Sequence, residues 1–191
     1  WSDGMYSRGY KDGSRMEREY DRLGKPMVEW KWRHNPGPEK NSIPWADPKF
    51  DDTSWPTTHV VRDTWSSLGH HLSMTDESRG QSGRMAYRAS QRLGAVPEGK
   101  RVFLWIGATD GTARVYVNGK PISYVVPKDT RRNKAGDELD RFSGYCSSAQ
   151  FDITEALQEG DNQFTILAER IRLNELGTGG LIGPVVLYRE K

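Results

Sequence analysis

Lys100 to Ser123 reads Lys-Arg-Val-Phe-Leu-Trp-Ile-Gly-Ala-Thr-Asp-Gly-Thr-Ala-Arg-Val-Tyr-Val-Asn-Gly-Lys-Pro-Ile-Ser. Val102 to Ile106 is a continuous run of β-branched, aromatic and aliphatic residues, short enough to predict a strand buried on both faces. Gly107 to Thr112 holds two glycines and an aspartate, a turn signal. Ala113 to Val117 then alternates. Ala113, Val115 and Val117 fall on one side and Arg114 and Tyr116 on the other, the pattern of a strand with one buried face. Asn118-Gly119 tolerates two positive φ angles, which suits the tight turn that matches strand twist. Pro121 and Ile122 open the next strand. The stretch predicts a β-meander with no helix inside it.

A chain of 191 residues is long enough for one sizeable core, and all-β domains of this length are commonly single. Only 35% of the residues are hydrophobic, but seven Trp and eight Tyr supply large apolar area per residue. The net charge of +2 shows no basic stripe, which argues against a dedicated nucleic-acid binder. Cys146 is the one cysteine, so the fold must hold without an internal disulfide and the redox compartment stays open. No apolar run approaches membrane-spanning length. The chain opens at Trp1 with no signal peptide, which reads as a processed product or a domain cut from something longer.

Outward from the central stretch, Met27 to Arg33 alternates, with Val28, Trp30 and Trp32 on one face, and predicts a strand. Residues 1–26 read as an irregular lead-in over the domain, with one helical turn over Glu17 to Leu23. In Trp45 to Trp55, Asp47-Pro48 and Asp51-Asp52-Thr53-Ser54 favour Asx turns, and Trp45, Phe50 and Trp55 are the anchors of a coil. Thr57 to Arg62 is a short strand. Asp63 to Met85 is a first long loop, and Ala86 to Leu93 returns as a strand. Tyr124 to Ala149 is a second long loop, with Lys128, Arg131, Arg132, Lys134 and Arg141 among four acids. Long loops without structure of their own are usually functional or disordered. Gln150 to Leu157 begins extended, then gives a helical turn capped by Thr154 and closed by Gly160. Asn162 to Arg172 and Pro184 to Arg189 are the last strands. At least eight strands without a long helix predict an all-β fold, an antiparallel β-sandwich of jelly-roll type formed as one domain over 1–191.

Trp45 with Asp47-Pro48, Phe50-Asp51-Asp52-Thr53-Ser54-Trp55, Tyr87-Arg88, Gly99-Lys100-Arg101, Val115-Tyr116-Val117-Asn118-Gly119-Lys120, Phe151-Asp152-Ile153-Thr154 and Gly160-Asp161-Asn162 occur in that order. In that order they resemble the galactose-binding-domain-like jelly roll, in the version found as the N-terminal sugar-binding-type domain of family 2 glycoside hydrolases and in related carbohydrate-binding modules. The resemblance runs from Met27 to the C-terminus. It implies a domain that is not catalytic and that sits beside a catalytic α/β barrel in the same parent chain. No βα alternation is present here to build such a barrel. The resemblance also suggests calcium, since jelly rolls of this kind often carry one in a loop, held in good part by backbone carbonyls. The residues themselves call for no cofactor.

The residues bear on several chemistries. Paired carboxylates for glycoside hydrolysis must stand a fixed distance across a sugar. Asp51-Asp52 reads as turn chemistry instead, and Glu77, Asp137 and Glu138 sit among bases. His70-His71 has no third metal ligand at a familiar spacing. Cys146 reads as a half-buried structural thiol. Gly177 to Gly183 lacks the strand and helix of a dinucleotide loop. Sugar binding needs an aromatic face for the pyranose C–H groups and planar polar groups for its hydroxyls. Trp65, His70, His71, Arg79, Arg84, Tyr145 and Arg172 are of those types and lie in the long loops and the glycine-rich turn; burial as loop anchors is the competing reading for Trp65 and Tyr145. Guanidinium groups also match oxyanions, so an anionic polysaccharide stays open as the ligand. The expectation is a non-catalytic, extracellular or periplasmic carbohydrate-binding domain of a polysaccharide-degrading protein. A purely structural accessory domain is the alternative, and a small hydrolase in its own right the third reading.

Overall fold

The computed structural model describes residues 19–34, 43–63, 83–95, 98–170 and 179–191. Its strands are β1 (Tyr20–Met27), β2 (Glu29–His34), β3 (Thr57–His59), β4 (Gly83–Leu93), β5 (Val102–Val117), β6 (Lys120–Ile122), β7 (Tyr124–Val125), β8 (Glu138–Leu139), β9 (Phe142–Asp152), β10 (Gly160–Arg170), β11 (Gly180–Leu181) and β12 (Val185–Glu190). Every pairing is antiparallel. The fold is an all-β sandwich, as the alternation predicts.

The central stretch departs from its prediction in an informative way. Val102 to Val117 is one 16-residue strand, with no turn at Gly107 to Thr112. Its first half pairs with β12, its second half with β10 and β6, and β9 follows it through both. One strand thus belongs to both layers and carries the bend between them. Bulges make the bend. From the pair Ile106↔Ala149 to Thr109↔Ser147, β5 holds the extra residue; from there to Gly111↔Gly144, β9 does. At Gly111 φ is +105°, and a Cβ would lie 2.4 Å from the carbonyl oxygen of Glu169. Both the dihedral and the close approach require glycine. Gly111→Ala should therefore lower the unfolding free energy by about 2 kcal/mol, measured by urea denaturation; an unchanged midpoint would contradict this account of the bend.

The core lies between the layers. Val102, Leu104 and Ile106 meet Val185 and Leu187 from β12, Phe151 from β9, Val115 and Val117 from the far half of β5, and Trp30, Tyr87, Phe164 and Ile166 from the other layer. Burying this much aromatic and branched surface supplies the driving force, at about 25 cal/mol per Å². Val102 to Ile106 is buried on both sides, as predicted: Phe103 and Trp105 form an outer cluster with Val186 and Tyr188. On the outside of the other layer, the coil before β3 lays Trp45 and Trp55, flanked by Phe50, against Ala86, Tyr116 and Leu167.

The ordered motifs prove to be mutual fasteners. Asn118 and Gly119 turn with φ of +52° and +82°. The Asn118 amide donates to Ala156 O at 2.9 Å and Asn162 Oδ1 at 2.8 Å, and its oxygen accepts from Gln163 N at 2.9 Å. The Val-Asn-Gly hairpin and the Gly-Asp-Asn turn thereby hold each other. Asp152 accepts from Thr154 N and Oγ1, and Thr154 Oγ1 accepts from Val102 N at 2.9 Å. Thr154 thus pins the start of β5 and is not the cap of the short 3-10 turn Thr154–Ala156, which Ile153 precedes without a side-chain bond. Burial works against the Asp152 carboxylate, but the bonds from Thr154 and the ion pair with Arg101 prevail and hold its pKa below the usual 3.8. Asp52 behaves likewise: burial opposes its charge, and the bonds from Lys31 and Arg88 overcome it. Carboxylates depressed in the fold contribute stability that is complete above 3.8 and lost as pH falls through their lowered values. The urea midpoint should stay level down to about pH 5 and drop below about pH 4, less steeply in Asp152→Asn.

Four further expectations are corrected. No helical turn covers Tyr20 to Leu23, within the expected lead-in over 1–26; β1 runs there and pairs with β12, bulging between Leu23 and Met27. The second long loop shrinks, because β7 and β8 form a small hairpin inside it and β9 starts at Phe142. The first loop is shortened at its far end by Gly83 to Met85, already in β4. Cys146 is exposed rather than half-buried, at a φ of +45° on the β9 bulge.

Candidate functional site

The end of the sandwich where β4 begins and β10 finishes carries a charged cluster. Strand register places Glu169 between Arg84 on β4 and Thr112 on β5. Glu169 is only 3% exposed, so its charge must be met by partners rather than water. Arg84 supplies Nε at 2.6 Å, Arg114 an Nη1 at 3.3 Å and Arg141 an Nη1 at 3.6 Å. Arg114 and Arg141 also share Asp140, at 3.2 and 2.9 Å. Hydrogen bonds from Arg141 and the charges of both arginines keep the Asp140 carboxyl below its ordinary value against the cost of burial. Arg84 closes the first long loop and Asp140-Arg141 closes the second. The described ends of the two loops therefore meet on one carboxylate.

Next along β10, Arg170 pairs with Asp110 at 3.2 Å, both almost fully buried. Asp110 also accepts from Gly179 N at 2.7 Å, and Thr109 Oγ1 donates to Gly180 O at 3.1 Å. These bonds tie the chain's return through β11 to the bend of β5. Beside the bend, the bulge in β9 leaves Tyr145 63% exposed, an aromatic ring presented to solvent by an irregular strand. The neighbouring Cys146 thiol is pushed up by desolvation and by the charge of Asp110, which leaves it a protonated and poor nucleophile at neutral pH.

Of the predicted site residues, Arg84 and Tyr145 are placed at this end of the sandwich. Arg84 is not a loose loop arginine but one arm of the Glu169 cluster, and Tyr145 is not a buried anchor. Trp65, His70, His71, Arg79 and Arg172 lie outside the described residues. Sequence reading passed over Glu169 and Arg114. The signal was a carboxylate inside the apolar run Phe164 to Ala168 and its continuation, where an unpaired charge would be costly. Among the described residues no three His, Cys, Asp or Glu side chains stand together for a metal ion. The loop carboxylates there already accept backbone amides: Asp47 from Lys49, Asp129 from Ala135 and Asp137 from Lys134.

A second concavity, of about 530 Å³, lies between the aromatic coil and the β2–β4 side of the sheet, lined by Glu29, Lys31, Phe50, Asp52, Arg88 and Gln163. Its inner groups are already engaged. Arg88 donates to Asp52, to Thr165 and to the carbonyls of Trp45, Asp47 and Phe50. Gln163 bonds Ser90, Ala89 and Phe164. This wall serves the fold and leaves little for a ligand to grip.

Sandwich, bent shared strand and outer aromatic coil define the class: an all-β sandwich of antiparallel strands. Solved structures similar to it include β-glucuronidases. A β-glucuronidase from Bacteroides uniformis matches over 88% of this chain and 18% of its own, at 20% identity and a TM-score of 0.55. The Bifidobacterium dentium β-glucuronidase matches over 90% of this chain and 30% of its own, at 19% identity and a TM-score of 0.59. A β-glucuronidase from glycoside hydrolase family 2 matches over 90% of this chain and 18% of its own, at 18% identity and a TM-score of 0.59. The chain thus spans less than a third of the length of each of these enzymes. No protein-family model matches the sequence, and no curated protein is matched by it.

Proposed function

We propose that this chain is a non-catalytic carbohydrate-binding domain of a larger glycoside hydrolase-type protein that works outside the cytoplasm on polysaccharide. The observation that carries the reading is the extent of the fold match, nearly all of this chain against a minor share of each hydrolase. A sandwich that accounts for so little of those enzymes is an accessory part of them, and the site supplies a reason for it to bind sugar. Tyr145 offers a solvent-facing ring for a pyranose C–H face. Arg84 and Arg141, each partly exposed and held on Glu169, offer planar donors at the same end. The alternative, a purely structural domain docked on its catalytic neighbour, calls for a broad apolar face. Among the described residues the exposed large hydrophobics are Val61, Val125 and Tyr145, which sit on separate elements.

Affinity electrophoresis through gels cast with neutral, sulfated and uronic-acid polysaccharides tests the reading. Retardation by at least one of them is expected, weakened in Tyr145→Ala by about tenfold in affinity, the scale of losing one stacked ring. Free mobility in every gel would move the assignment to the structural domain.

A further inference from the structure

We propose that the tip of the β7–β8 hairpin, residues 128–134, is an anion-gripping element that docks a polysaccharide chain bearing sulfate or carboxylate groups; this rests on the carbohydrate-binding reading and names its ligand class. The base of the hairpin is firm. Tyr124 packs edge-on against Phe142 at 5.1 Å and near Phe151 at 5.6 Å, and Val126 is buried. Val126 and residues 136–137 then exchange backbone bonds, Val126 N to Asp137 O at 2.9 Å and Gly136 N to Val126 O at 2.8 Å.

The tip beyond that base is built rather than loose. Thr130 N donates to Asn133 O at 2.8 Å, while Thr130 Oγ1 accepts from Arg132 N and Asn133 N. Ala135 N donates to Asp129 at 2.8 Å and Lys134 N to Asp137 at 2.7 Å. The two acids of the turn are thus directed at backbone amides. The cations are not so occupied: Lys128, Arg131, Arg132 and Lys134 are all exposed, and among the described residues none of their side chains has an ion-pair or hydrogen-bond partner. Some exposed arginines elsewhere are paired, as Arg62 with Asp63, Arg92 with Asp161 and Arg101 with Asp152, and Arg22 and Arg33 stand singly among the described residues; the hairpin instead gathers four such cations within seven residues.

Four cations against Asp129, Asp137 and Glu138 leave only a small local surplus of positive charge. Diffuse attraction is therefore weak, and recognition falls to direct contacts. Two neighbouring guanidiniums on a pre-shaped turn suit oxyanions, which they hold bidentately at little ordering cost. A chain with anionic groups on successive sugars fits four donors spread over seven residues. The hairpin returns through Asp140-Arg141, which pairs with Glu169, so its base joins the end of the sandwich that carries Arg84.

The test uses the full chain in gels cast with chondroitin sulfate, polygalacturonate or neutral dextran, with a DNA duplex as a separate probe. One variant combines Lys128→Gln, Arg131→Gln, Arg132→Gln and Lys134→Gln. A charge-matched control combines Arg22→Gln, Lys25→Gln, Lys49→Gln and Arg92→Gln, at exposed positions away from the hairpin. Preference for an anionic polysaccharide is expected, weakened about tenfold or more in the hairpin variant and less than about twofold in the control. Equal losses in both variants, or tighter binding of DNA, overturn the proposal. Binding of dextran alone, unchanged in the hairpin variant, overturns it while leaving the carbohydrate-binding reading intact. Binding of no polysaccharide at all removes both.

Discussion

Asp52→Ala is expected to lower the unfolding free energy by about 3–4 kcal/mol, toward the upper range for breaking a buried ion pair. The Arg88 guanidinium is nearly fully buried and Asp52 is its counter-ion at 2.7 Å, with Lys31 on the other oxygen at 2.8 Å. Removing the carboxylate strands a positive charge that the surrounding carbonyls solvate only in part. Asp52 keeps some exposure, so water can reach the gap and the loss should not exceed that range. Arg88→Leu attacks the same fastening from the other side. It removes the charge but orphans the carbonyls of Trp45, Asp47 and Phe50, each at a cost of about 1–3 kcal/mol when unmet by water. Because the coil also carries Trp45 and Trp55, its release uncovers Ala86, Tyr116 and Leu167. The double variant Arg88→Leu with Asp52→Ala should lose clearly less than the two single losses added, since the stranded charge is then absent. Urea denaturation of the four proteins measures this coupling. Strict additivity would show that the pair contributes no more than its surface neighbours.

That fastening also shows what the sequence disclosed and what it did not. Alternation in Ala113 to Val117 and the apolar run Val102 to Ile106 were sufficient for strands, because side-chain period alone reports which faces are buried. The gap between them carries a turn signal but is a bulged bend. Two glycines and an aspartate serve a turn or a bulged bend equally well, and only the pairing of β9 along both halves of β5 decides between them. β1 escaped notice because Tyr20 to Met27 is edge-like, largely exposed and broken by Gly24 at a φ of +66°. An edge strand gains its place from the ladder with β12, not from a pattern of its own. Phe50 to Trp55 was legible as Asx-turn chemistry: Asp51 does accept from Thr53 N at 3.0 Å and Thr53 Oγ1 at 2.7 Å. Its neighbour Asp52 does the long-range work, and nothing local in the sequence separates the two acids. At the candidate site the residue types were read from the loops, whereas the carboxylate that joins the described loop ends sits inside a strand. Contacts of that kind arise from register, which a single sequence specifies but does not display.

Glu169→Gln is the counterpart experiment at the site, with an expected stability loss of about 3 kcal/mol and a loss of glycan affinity of about tenfold. Two effects compete. Neutralising a carboxylate that is 3% exposed relieves its desolvation, which favours the variant. The same change leaves Arg84, Arg114 and Arg141 facing one another across a neutral amide. Arg114 and Arg141 keep Asp140, at 3.2 and 2.9 Å, and Arg84 is exposed enough to meet water. The relaxed cations should therefore cost less than an uncompensated Arg88. Their freedom has a second consequence, because donors that turn into solvent no longer stand beside Tyr145 in a fixed array, and ordering them again must be supplied by the ligand. Affinity should fall even though Glu169 is too buried to touch a sugar, and it should fall for neutral and anionic polysaccharides alike. Glu169→Asp, which keeps the charge on a shorter arm, should recover part of both losses. Denaturation and affinity electrophoresis on the same preparations separate the outcomes. A variant that is destabilised but binds as before would make the cluster a fastener of the two loop ends and nothing more.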